Sequence, residues 1–216
     1  MTLLVPPLPV PAGAVVAVLR APTAAHFAAA STVLWDAGIR FFEYTLTSDG
    51  ALEAMTTFKA AVPEAVIGIG TVRAPHQLQS ALNAGAQFGV SQIFLTELVE
   101  AARSLNLPFV PGALTPTEVV TAWAAGVPAV KVSPIGPLGG VRYLQELRGP
   151  LPDVPLMPTG GVTLEAVSEY LAAGAVAVGV SGALFEDALL GGDLTALRQR
   201  ADHLMSICPA LEGNPL

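Results

Sequence analysis

The sequence predicts a single (β/α)8 barrel of the α/β, TIM-barrel class, on three observations. Short apolar runs rich in Val, Ile and Phe alternate with longer stretches bearing Ala, Leu and Glu, with Gly or Pro at most junctions. Eight such units fit into 216 residues with no linker between them. That is shorter than the roughly 250 residues typical of such barrels but within their range. Glycine-bearing loops recur after the third, fifth, sixth, seventh and eighth runs, and no G-x-G-x-x-G segment follows the first. An open doubly wound sheet, the alternative, would favour that segment.

In chain order the predicted strands are 14–20, 40–46, 65–70, 86–91, 108–111, 128–132, 154–158 and 175–180. Each is a run of apolar, largely β-branched residues bounded by turn formers. Helices are predicted near 23–37, 50–61, 75–84, 96–105, 115–125, 140–147, 163–173 and 193–206. Thr115-Pro116 and Thr163 read as N-cap and first-turn signals. Gly38, Gly85, Gly126 and Gly174 each follow a helical stretch and precede a strand, the place of a helix-ending glycine. Residues 1–216 thus read as one domain, with a Pro-rich lead-in at 1–13 and a loose tail at 208–216.

Hydrophobic residues make up 52% of the chain and charged residues 12%, about half the usual charged share of roughly 25%, which excludes disorder. The net charge of -7, with 10 Lys and Arg and no basic run, argues against a nucleic-acid groove or an anionic membrane surface. The first twenty residues are apolar but lack a charged n-region and are broken by Pro6, Pro7, Pro9 and Pro11, so neither a signal peptide nor a membrane span is expected. Cys208, the single cysteine, permits no intrachain disulfide, and no Cys/His spacing suits zinc. A cytosolic protein with no metal and no cofactor is expected.

With so few charges, each charge inside a strand carries information. Lys131 interrupts PAVKV, and alternation puts Ala129, Lys131 and Ser133 on one side and Val130 and Val132 on the other. The valines suit the helix layer, so the lysine points into the barrel. A buried lysine needs a carboxylate partner; it is also a candidate nucleophile, because desolvation disfavours the ammonium form and a neutral amine attacks carbonyls to give a Schiff base. Glu43 interrupts RFFEYTL in the same way, on one side with Phe41 and Thr45. An inward Lys/Glu pair is either a structural ion pair or a nucleophile with its general acid/base.

PTGGVT at 158–163 and VGVSGALF at 178–185 end consecutive strands and open helices, where barrels often hold phosphate through backbone N–H groups. Arg20 closes the first strand and Thr71 the third. Arg20 either caps a helix or forks onto a substrate carboxylate. Lys59 reads as a solvated helix residue, His26, His76 and His203 as surface or core histidines, and Trp35, Trp123 and Cys208 as packing.

The runs VAVLRA, FEYTL, IGIGTV, FVPGALTPTE, KVSPIGPLGG, PTGGVT and AVGVSGAL, in this order over about residues 14–190, resemble the 2-keto-3-deoxy-6-phosphogluconate aldolase family. That family also includes 4-hydroxy-2-oxoglutarate and 2-keto-3-deoxy-6-phosphogalactonate aldolases. The resemblance implies a class I aldolase on a (β/α)8 barrel, a homotrimer, that cleaves a keto-deoxy sugar acid to pyruvate and glyceraldehyde 3-phosphate. By position it implies that Lys131 is the Schiff-base lysine and Glu43 the general acid/base. Thr71 would lie near the pyruvyl group, and Thr159, Gly160 and Gly161 would contact substrate and phosphate.

Four positions depart from the family pattern. Thr47 stands where many members carry a carboxylate-binding arginine, and Arg20 takes that role here by expectation. Ser91-Gln92 replaces Ser-Pro at the pyruvate wall, with a one-residue insertion after it. Ser133 replaces an aromatic residue, which implies a wetter or roomier pocket. Ser181-Gly182 reverses the usual Gly-Ser of the last phosphate loop. Two other readings stay open: an aldolase or decarboxylase of small non-phosphorylated keto acids such as 4-hydroxy-2-oxoglutarate or oxaloacetate, and a non-catalytic phosphate-binding barrel.

Overall fold

A computed structural model describes residues 5–208. The expected tail therefore lies, apart from Cys208, outside the described residues, as do the first four residues of the lead-in. The elements run β1 (Ala14–Leu19), α1 (Phe27–Asp36), β2 (Phe41–Thr45), α2 (Ala51–Ala61), β3 (Val66–Gly70), α3 (Pro75–Asn83), β4 (Phe88–Val90), α4 (Thr96–Ser104), β5 (Phe109–Val110) and β6 (Gly112–Ala113). They continue with α5 (Pro116–Ala124), β7 (Val130–Val132), α6 (Gly140–Arg148), β8 (Leu156–Pro158), α7 (Ala166–Ala172), β9 (Ala177–Val180), α8 (Gly182–Phe185) and α9 (Leu194–Ile207).

All strand pairs are parallel. Ladders join β5-β4-β3-β2-β1-β9 and, separately, β6-β7-β8. β5 and β6 are two halves of one barrel stave, split at Pro111, which has no N–H to give but accepts from the Lys131 backbone at 2.9 Å. On the other side a single bridge, Thr159 to Gly179, with a Val176 N–H bond to Leu156 O, joins β8 to β9. Eight staves thus make a (β/α)8 ring that is partly open at these two seams.

Two cores follow from the strand alternation. Val15, Ala17, Leu19, Phe42, Tyr44, Ile67, Ile69, Val130, Val132, Val178 and Val180 face the helices. Val10, Ala14, Val16, Val18, Phe41, Val66, Phe88, Val90, Val110, Ala129, Met157 and Ala177 fill the barrel interior. Burying a side chain of this size stabilises the fold by about 1.5–3 kcal/mol. The lead-in is part of this packing, since Val10 sits in the interior cluster and Gly13 N–H bonds Val176 O.

Helix ends behave as their residues dictate. Thr115 accepts from Glu118 N–H while the Glu118 carboxylate accepts from the Leu114 and Thr115 N–H groups, and these bonds hold that carboxyl below the usual range. Gly38, Gly85, Gly126 and Gly174 all take the left-handed conformation that stops a helix.

Several boundaries differ from expectation, among them the starts of the fourth, sixth and eighth staves, each two residues later than predicted. The first helix starts at Phe27 rather than near 23, because Thr23 and Ala24 bond the backbone of Asp49. The seventh stave starts at Leu156 rather than 154, just after Pro155. α7 starts at Ala166, although Thr163 still caps it by accepting from the Ala166 N–H. The helix expected to open within VGVSGALF is the four-residue α8, a single turn that stops at Phe185. Among the described residues no helix is long and apolar enough to cross a membrane.

Candidate active site

β2 fixes where Glu43 points. Its neighbours Phe42 and Tyr44 pack outward: Phe42 meets Phe58 edge-on at 5.1 Å, Tyr44 meets Phe27 at 5.3 Å, and the Tyr44 hydroxyl pairs with Ser31 Oγ at 2.7 Å. Burial pushes the Tyr44 phenol far up, so it stays neutral. A one-residue slip would exchange these anchored aromatics for a carboxylate, so the register is strongly specified. Glu43 is left facing the barrel axis.

Lys131 comes from β7, four staves away around the ring of eight, and so lies across the axis from β2. Its ammonium nitrogen stands 3.5 Å from Glu43 Oε1, with the two side chains 3% and 0% exposed. Neither Glu43 oxygen has a hydrogen-bond partner among the described residues. A buried carboxylate with no such partner beside one amine is poorly satisfied as a structural ion pair, but its lone pairs are open to a reacting molecule.

Space for the pair is made by glycine. In β3 the inward residues after Val66 are Gly68 and Gly70; a Cβ on Gly70 would overlap the Glu43 carboxylate, and one on Gly68 the Phe88 ring. Gly179 on β9 makes room for the Thr159 hydroxyl in the same way. Sequence reasoning missed these three as site residues. The signal was present: in VIGIG and VAVGV glycine falls only on inward positions, leaving the outward face to Ile and Val.

Arg20, at the mouth end of β1, donates through Nη1 to Thr47 Oγ1 at 2.6 Å and through Nη2 to Thr71 Oγ1 at 2.8 Å. Thr71 is held in the left-handed region at φ 61, a conformation that costs a non-glycine residue about 1 kcal/mol or more. The structure therefore brings Arg20, Thr47 and Thr71 together, with the guanidinium exposed at the mouth. Gln92 reaches across to donate from Nε2 to Ser133 O at 3.1 Å, and both residues border a groove of about 470 Å³ beside α5.

Thr159 lies buried at the end of β8, followed by Gly160 and Gly161, both with positive φ. Their backbone N–H groups, and that of Gly182, donate to no described residue. Ser181 is different: its hydroxyl donates to Val18 O at 2.8 Å and fastens β9 to β1. The donors left in that loop are on the backbone.

Lys59 is not a solvated residue as expected. Its amine bonds the carbonyls of Pro63 and Ala65 and Gln87 Oε1, tying α2 to β3, and partial burial lowers its proton affinity. His203 lies 3.7 Å from Glu165 on the surface, Trp35 packs under the Arg40 guanidinium, and Cys208 is a buried free thiol whose ionisation burial opposes.

The family model for KDPG and KHG aldolases matches residues 10–199. The 2-dehydro-3-deoxy-phosphogluconate aldolase of Dickeya dadantii is 36% identical, with 88% of this chain and 91% of that protein covered. The KHG/KDPG aldolase of Escherichia coli K12 is 34% identical, with 88% and 89% covered. Among solved structures, KDPG aldolase from Legionella pneumophila, with pyruvate captured as a covalent carbinolamine, matches with a TM-score of 0.80 at 26% identity, covering 88% of this chain and 93% of that one.

Proposed function

The chain belongs to the KDPG and KHG aldolase family, and from that premise we propose that it is a class I aldolase cleaving 2-keto-3-deoxy-6-phosphogluconate or a close analogue to pyruvate and glyceraldehyde 3-phosphate. The observation that carries this reading is the enclosed Lys131–Glu43 pair at 3.5 Å. In the cleavage direction the Lys131 amine attacks the C2 carbonyl to give a carbinolamine, which loses water to form an iminium. Glu43 takes the proton from the C4 hydroxyl, the C3–C4 bond breaks, the aldehyde leaves, and the bond's electrons pass to the iminium nitrogen as an enamine. Glu43 then returns its proton to C3, and water releases pyruvate and the free lysine.

The remaining residues take roles that follow from their donors. Arg20, held by Thr47 and Thr71, is the carboxylate clamp, so these threonines support it where other members place an arginine. Gln92 and Thr159 contact the substrate chain, and Gly160, Gly161, Ser181 and Gly182 offer backbone N–H groups to the phosphate. A second reading, a small non-phosphorylated keto acid as substrate, draws support from the dual name of the Escherichia coli relative. A homotrimer in the cytosol completes the proposal. The exposed Ile93, Val120, Leu138 and Leu190 are apolar surface that self-association would cover, and the single free thiol suits a reducing compartment.

Borohydride reduction in the presence of pyruvate, followed by peptide mass spectrometry, tests the reading: a pyruvyl adduct is expected on Lys131, and its absence from folded protein would overturn it. Arg20→Ala should raise the pyruvate concentration that half-saturates this trapping by about 10- to 100-fold, the scale of a charge-assisted hydrogen bond. An unchanged midpoint would remove Arg20 from the site.

A further inference from the structure

We infer that Ser133 is a specificity-determining residue which reads a hydroxyl group on the carbon next to the aldehyde carbon, so that the enzyme selects α-hydroxyaldehydes as its second product or co-substrate. The inference deepens the aldolase reading above and rests on it. Ser133, the residue after β7, keeps the inward parity of Lys131 and stands two residues nearer the mouth, roughly 6–7 Å further along the strand direction. It is 9% exposed. Its backbone is fully used, with N–H bonded to Ala113 O and its carbonyl accepting from Gln92, yet its hydroxyl bonds no described residue.

The surroundings say what the hydroxyl can meet. A Cβ on Gly160 would stand 3.1 Å from Ser133 Oγ, so the serine faces the glycine loop whose free N–H groups suit a phosphate. Ser133 therefore lies between the amine that takes the keto carbon and the loop that takes the far end of the chain. A substrate joined to Lys131 at C2, with its far end on Gly160 and Gly161, passes C5 along this wall. A nearly enclosed hydroxyl there gains a partner from a C5 hydroxyl and is left unpaired by a methylene. Gln92, besides its own contact with the substrate chain, positions Ser133, since its Nε2 donates to the serine carbonyl.

The test runs in the condensation direction, with pyruvate and either glyceraldehyde 3-phosphate or its deoxy analogue 3-oxopropyl phosphate. The wild-type enzyme should prefer the hydroxylated aldehyde in kcat/KM by about tenfold or more. Ser133→Ala should bring that ratio to within about threefold of unity, and Ser133→Thr, which keeps a hydroxyl, should retain most of it. A wild-type enzyme with no preference overturns the inference outright, as does an alanine variant that traps pyruvate on Lys131 and keeps the wild-type ratio. If the wild-type enzyme traps no pyruvate at all, the aldolase reading falls and takes this inference with it. An adduct with an unaltered ratio sinks only the role of Ser133.

Discussion

Replacing Lys131 by arginine should abolish the borohydride-trapped pyruvate adduct and lower the rate of cleavage by on the order of 10⁴-fold or more, the scale of losing a covalent nucleophile. A guanidinium keeps a cation opposite Glu43 but forms no imine under these conditions. Lys131→Ala should lose the same chemistry and also stability, because it strips a fully buried carboxylate of the one charge that pairs with it among the described residues. Breaking such a pair costs about 3 kcal/mol or more, or on the order of 10 °C in Tm for a chain of this size. Thermal melts of both variants beside the trapping assay separate the two roles. An arginine variant that melts like the wild-type protein but is inert identifies a nucleophile. One that still turns over would show that the chemistry lies elsewhere.

Glu43→Gln should leave the adduct trappable yet slow overall turnover by about 10²- to 10⁴-fold, the range expected for removing a general acid/base. The amide fills the same space under Gly70, so the barrel should not move, but it can neither accept the C4 hydroxyl proton nor return one to C3. The partial reaction is the discriminating measurement. Exchange of the pyruvate methyl protons with solvent deuterium, followed by NMR, should fall in parallel with cleavage, because both pass a proton through this carboxylate. Undiminished exchange with impaired cleavage would assign the C3 proton to another group and leave Glu43 only the hydroxyl.

Much of this architecture could be read in the residues because it is written in short-range rules. Alternation, with the valines assigned to the helix layer, put Lys131 inward and left Glu43 on one side with Phe41 and Thr45, and the four helix-ending glycines marked where four of the strands had to begin. What could not be read depends on contacts between distant segments. The meeting of β2 and β7 across the axis follows from closure of the ring, which no local pattern encodes. The split of the fifth stave at Pro111 and the bridging of Arg20 to Thr47 and Thr71 arise from loop paths. Lys59 was misread because a lysine amid polar neighbours looks solvated until the carbonyls at a helix end fold back onto it. The roles of Gly68, Gly70 and Gly179 lie in the side chains that occupy the space they leave, and those come from neighbouring strands or loops.

The packed interior behind the Lys131–Glu43 pair also bears on the order of events. Phe41, Val66 and Ala129, with Val10 of the lead-in, fill the barrel interior on the N-terminal side of Glu43 and Lys131, so a substrate reaches the lysine from the opposite, loop-bearing end. Whatever is bonded to the lysine lies deeper than whatever is bonded to it in turn. In cleavage the aldehyde is nearer the opening and must depart first, while pyruvate, still tethered, leaves last. In synthesis the sequence reverses, and an aldehyde that arrives early stands between pyruvate and the lysine. Initial-rate kinetics should then show ordered addition, with pyruvate as the leading substrate and excess aldehyde as its own inhibitor.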